Sequence, residues 1–214
     1  DSKNKKSTPK KPTRSGLYQL PSTRIEVESI NKILKQNNIN TISLLGEEAT
    51  EINFKNNLRK DLIHIATHGF YKVEEDFPTF GLFFANSGNS KLDKEKGDPL
   101  FNDNDNVLRD TELKYINLSD TELLVLSACE TAVSYSLMIG NYNLSEEFIR
   151  SGVKNVISTI WKVDDNVTQK FMTIFYELLS KGNSINSSLK SAKSKIREDY
   201  PHPYYWAPFV LLSS

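Results

Sequence analysis

The sequence predicts an α/β domain, with a mostly parallel central sheet covered by helices on both faces. Three observations carry this reading. LIHIAT (62–67) and ELLVLSA (122–128) are apolar at nearly every position, as strands buried on both faces are. Strand-like and helix-like periods alternate along the chain, the pattern of βαβ units. Residues that cap helices stand just ahead of several helical stretches: Thr50, Asp164 or Asp165, and Ser184.

The elements follow in order. Residues 1–14 hold six basic side chains against Asp1, a net of 6 − 1 = +5. This polar, Pro-containing stretch reads as a flexible basic tail or linker over 1–16. Thr23 with Glu26 three residues on is a capping-box signal. It opens a helix with Ile25, Ile30, Ile33 and Leu34 at helical spacing. TISLLG (41–46) reads as a short strand, and Thr50 caps a helix to about 59. LIHIAT is the first fully buried strand and GLFFA (81–85) another short one. Residues 86–106 are rich in Asn, Asp, Lys, Gly and Ser and read as a long surface loop. A length of this kind is usually functional or disordered. A short helix at 109–115 precedes ELLVLSA. Asn143 and Glu146 form a second capping-box pair before a helix to about 151. NVISTI (155–160) is a strand, helices follow to about 180 and 199, and YYWAPFVLL (204–212) closes the chain. Pro208 puts that last strand at an edge or a break.

Composition narrows function. Lys+Arg and Asp+Glu are both 27, so nothing favours direct binding to nucleic acid or a membrane surface. No apolar run approaches the ~18–20 residues needed to span a bilayer. A lone cysteine forms no internal disulfide, which makes a reducing compartment, the cytoplasm, the default. The chain opens at Asp1 rather than Met, so we expect a piece of a longer polypeptide. Dinucleotide, P-loop and Ser-hydrolase motifs are absent, and 103–107 lacks the spacing and glycine of a calcium loop.

His68 and Cys129 carry the chemistry. Each lies just past the carboxyl end of a buried strand, where open α/β sheets place their ligands. If the strands are neighbours, both side chains open into one crevice. A nearby imidazole turns a thiol into a nucleophile for acyl transfer. The amides of Gly69 and Cys129 are natural donors to the oxyanion that develops. The plain alternative is that Cys129 is a small buried hydrophobe and His68 merely ends a strand. His64, four residues earlier inside the strand, reads as a core histidine.

HIATHGF (64–70), LLVLSACETA (123–132), FIRSG (148–152), VISTIWKVDD (156–165) and HPYYWAPFVLL (202–212) together resemble the CHAT domain. LPSTRIEVESI (20–30) and LLGEEAT (44–50) fit the same pattern. The resemblance covers about 17–212. It implies a caspase-like three-layer sandwich, related to separases and typically found beside tetratricopeptide repeats in bacteria. By position it makes His68 the general base and Cys129 the nucleophile, with no metal and no cofactor. The implied partners are a protein substrate and the upstream part of the same polypeptide; the alternative function is a non-catalytic interaction module.

The resemblance also frames a specificity pocket from Ser127 and the loop holding Asp164 and Asp165. WKVDD is similar to a separase pattern whose acid receives an arginine, and Asp165 is the positional match. Either aspartate could instead cap the helix that starts there. Three features depart from the family's pattern. Asn141 stands where an acid is common, the 86–104 loop is long, and no strand precedes LPSTR. The expected CHAT domain spans 17–214, with its first strand and upstream half-domain outside this chain.

Overall fold

The computed structural model describes residues 21–74, 77–87, 105–127 and 144–214. Its elements are α1 (Pro21–Gln36), α2 (Glu51–Lys55), β1 (Leu62–Ile65), β2 (His68–Glu74), β3 (Phe77–Phe83), β4 (Val107–Arg109), α3 (Asp110–Leu113), β5 (Leu123–Leu126), α4 (Leu144–Arg150), β6 (Asn155–Thr159), α5 (Asp165–Leu179), α6 (Ile185–Asp199) and β7 (Phe209–Ser213).

The central sheet has the order β1-β5-β6-β7. The first two pairings are parallel and the third antiparallel. Every residue of β5 is buried, because its alternate side chains enter two different cores. Leu123 and Val125 join Ile30 and Leu34 of α1, Phe171 and Phe175 of α5, and Ile196 of α6. Leu124 and Leu126 join Phe54 of α2, Leu113 of α3 and Phe148 of α4. Helices therefore cover both faces, and the result is a three-layer α/β sandwich of caspase-like type. A second sheet, β2-β3-β4, is antiparallel, and Phe80, Leu82 and Leu108 pack it into the second core.

The caps at Thr50, Asp164 and Ser184 are all present: each side chain accepts a backbone N–H of its helix's first turn. Four readings change. Thr23 lies inside α1, which starts with Pro21 near its N-terminus, where a missing N–H costs nothing. Glu26 is buried against His64 instead of closing a capping box. Residues 41–46 form no strand, because no neighbour pairs with them among the described residues. Residues 203–205 form a 3-10 turn, so β7 begins only after Pro208. As expected, β7 is an edge strand. Asn143 and residues 88–104 lie outside the described residues.

Candidate active site

The site grows from one register. β1 and β5 lie side by side, parallel, with Ile65 opposite Leu126. The Ser127 N–H donates to the Ile65 carbonyl at 2.9 Å, which locks the two carboxyl ends together. His68 follows Ile65 by three residues, and Cys129 follows Leu126 by the same three. Cys129 itself lies outside the described residues, as do Ala128 and 130–143.

His68 is not a loose strand end. It is the first residue of β2, half-buried and opposite Phe83 of β3. The Thr67 hydroxyl donates to the Phe83 carbonyl and secures the turn between β1 and β2. The register also settles where Gly69 points. Phe84 N–H donates to the Asn106 carbonyl, continuing the β3–β4 pairing in which Leu82 lies opposite Leu108. Backbone groups alternate sides along a strand, so Leu82 faces β4, and Gly81 and Phe83 face β2. His68 and Phe70 then take the ladder bonds from β3. Gly69, opposite Leu82, turns its N–H away from β3 and has no partner for it among the described residues. A side-chain-free residue with an uncommitted N–H directly after the histidine is what an oxyanion donor requires.

Ser127 is buried at the end of β5 and its N–H is committed to Ile65. Asp164 and Asp165 divide their tasks. Asp164 is the cap of α5, its carboxylate accepting from the N–H groups of Asn166 and Val167 at 2.9 and 3.3 Å. Asp165 is half-buried, and its carboxylate makes no hydrogen bond or ion pair with the described residues.

The loop that holds them is braced from a direction that sequence reasoning missed. Trp161 stacks on Tyr204, and its indole N–H donates to the Tyr204 carbonyl at 2.9 Å. The Tyr204 hydroxyl donates to the Lys162 carbonyl at 2.7 Å. The only sequence signal was the aromatic density of HPYYW itself.

His64 is held in the core. Its Nδ1 lies 3.0 Å from the Tyr176 hydroxyl and its Nε2 3.0 Å from Glu26 Oε1. Asp105, in the middle of the 103–107 stretch, is buried and bound to Arg109. No cluster of three metal-ligating side chains occurs among the described residues.

The model of the CHAT domain matches residues 3–214. The chain belongs to the CHAT family. CHAT domains are caspase-like, and the helix-covered, mostly parallel sheet agrees with that relation. No curated protein matches the sequence. Among the described residues of this CHAT chain, no helix is long and apolar enough to cross a membrane.

Proposed function

We propose that this CHAT domain is a cysteine endopeptidase working through His68 and Cys129. The observation that carries the reading is the Ile65–Leu126 register, because it sends the chain toward both residues from adjacent strands at equal distance. His68 takes the proton of the Cys129 thiol. The thiolate adds to the scissile carbonyl, and the oxyanion is met by the N–H groups of Gly69 and Cys129. His68 then gives its proton to the leaving amine. Water, deprotonated by the same imidazole, hydrolyses the thioester and restores the thiol.

Asp165, which no described residue engages, offers a carboxylate to a basic side chain before the cleaved bond. That reading rests on Asp164 already serving as the cap. The substrate is a protein, cut when an attached sensor region releases the site. A peptide with a thiol-reactive electrophile tests the reading: it should label Cys129 only when His68 is present. A fold that binds the peptide but is never labelled would instead be a non-catalytic interaction module.

A further inference from the structure

The loop between β6 and α5 is held by side chains rather than by the sheet. β6 ends at Thr159, and the Ile160 N–H still reaches the Pro208 carbonyl at 3.1 Å. From Trp161 to Val163 the chain makes no backbone–backbone hydrogen bond among the described residues. Backbone control resumes at Asp164, the cap of α5. Val163 is buried in the core beside α5 and Trp161 packs against that core, while Lys162 between them is exposed.

Tyr204 supplies what the sheet does not. Its hydroxyl donates to the Lys162 carbonyl at 2.7 Å, and its own carbonyl accepts the Trp161 indole N–H at 2.9 Å. Its ring stacks on Trp161 with the centroids 6.4 Å apart. All these contacts grip adjacent residues of one loop. Packing does not account for this tyrosine, because 44% of it is exposed. A side chain this exposed gains little from burial, so its effect lies in the groups it binds.

The turn that presents Tyr204 is itself well fixed. Pro203 opens it, and His202 Nδ1 accepts the Tyr204 N–H at 3.2 Å. The Pro203 carbonyl accepts from the N–H groups of Trp206 and Ala207 at 3.2 and 2.8 Å. The Trp206 indole donates to the Pro201 carbonyl at 3.2 Å, and the guanidinium of Arg197, on α6, lies 5.9 Å from its ring. The Tyr205 ring meets that of Tyr204 edge-on. The Tyr204 hydroxyl is therefore offered from a frame anchored on α6, and a fixed donor sets the position of the carbonyl it binds.

We infer that Tyr204 is a positioning residue for substrate specificity: through the Lys162 carbonyl it fixes the place of the Asp165 carboxylate. A basic side chain before the cleaved bond then meets that carboxylate at hydrogen-bonding distance. This rests on the reading of Asp165 as the acid of the specificity pocket. Asp165 follows Lys162 by three residues, and the stretch between them has Tyr204 as its polar anchor on one side and the α5 cap on the other. A charge-assisted hydrogen bond works over a narrow range of distance, so slack in this loop weakens recognition of Arg or Lys. The loss falls on binding of basic substrates and not on the chemical step, because His68 is held by β2 and β3 rather than by this loop.

Tyr204→Phe keeps the ring and its stack and removes the hydroxyl, so it tests this, with Asp165→Ala and the double variant beside it. Affinity for peptides with Arg or Met before the scissile bond is measured in a Cys129→Ala background, which reads the pocket whether or not the site cleaves. Backbone NMR order parameters are measured over 161–163 in the same proteins. Tyr204→Phe is expected to lower these order parameters from the rigid range of about 0.85. It should also reduce the Arg-over-Met affinity ratio about three- to tenfold, with Met affinity unchanged. In the Asp165→Ala background it should move the ratio no further. Order parameters that stay rigid, or a ratio that falls in Asp165→Ala but not in Tyr204→Phe, would overturn the role of Tyr204 alone. A further fall of the same size in the double variant would overturn it too, since Tyr204 would then act by a route other than Asp165. A ratio that neither substitution moves would overturn the Asp165 reading and this inference with it.

Discussion

The imidazole of His64 sits 3.0 Å from the carboxylate of Glu26, with both side chains buried between β1 and α1. Despite that distance, neither His64 Nε2 nor Glu26 Oε1 has a hydrogen-bond partner. On the other side of the ring, Nδ1 meets the hydroxyl of Tyr176 at 3.0 Å. Burial first, and then the charge of Glu26, push the ionisation of Tyr176 well above its usual range. It therefore stays a phenol. The three side chains tie α1, β1 and α5 into one unit.

This separates the two histidines of HIATH experimentally. His64→Ala strands a buried carboxylate and is expected to lower stability by about 2–3 kcal/mol, with peptidase chemistry retained in the folded fraction. His68→Ala, at the half-buried start of β2, should remain close to wild type in stability and lose the activity. Denaturant unfolding and cleavage kinetics on both variants check the pair.

A second buried network predicts a pH effect. Glu51 is fully buried, with Lys55 Nζ 2.6 Å from its carboxylate and Glu112 sharing the same ammonium. Burial is the main cause that raises the Glu51 pKa, helped by the charges of Glu112 and Asp105 and opposed by Lys55. Asp110 is raised too, again chiefly by burial. A carboxyl whose folded pKa is raised binds its proton more tightly in the fold, so ionisation costs stability. That cost is present at pH 7 and is relieved as pH falls through the raised values toward the unfolded ones. Glu51→Gln should accordingly gain up to about 1 kcal/mol at pH 7 and flatten this part of the profile. Lys55→Met should lose about 1–3 kcal/mol by leaving the carboxylate unpaired. Thermal unfolding between pH 4.5 and 8 measures both.

The adjacent aspartates give a third prediction. Asp164→Ala removes the cap of α5 and should cost about 1 kcal/mol, with little change in substrate preference. Asp165→Ala should leave stability nearly unchanged. It should also erase a preference for Arg or Lys before the cleaved bond, a loss of about ten- to a hundredfold. Comparing peptides with Arg, Lys, Met and Asp at that position, in wild type and both variants, decides the matter. An unchanged preference in Asp165→Ala would move the pocket elsewhere.

These residues also show what the sequence could and could not carry. β5 and β6 were legible because each is a short run rich in apolar and β-branched residues, buried on both faces. TISLL looked like a strand for the same reason, but a strand also needs a neighbour, and that is a property of the sheet. β2 went unread because FYKVE mixes charge with apolar residues after Gly69. The direction of the Gly69 N–H was beyond reach, since it depends on which residues of β3 face β4. Glu26 matched a capping box by spacing, although burial against His64 decides its role. His68 stood out because a reactive side chain ended a buried run.

The central claim is that His68 and Cys129 act as one unit, and one measurement reaches it most directly. A peptide bearing a thiol-reactive electrophile is incubated with wild type, Cys129→Ala, His68→Ala and His64→Ala, and the modified residue is identified by mass. The account predicts rapid modification of Cys129 in wild type and in folded His64→Ala. It predicts at least ~10³-fold slower modification in His68→Ala and none in Cys129→Ala. Equal labelling of Cys129 with and without His68, or full cleavage activity in Cys129→Ala, would contradict it.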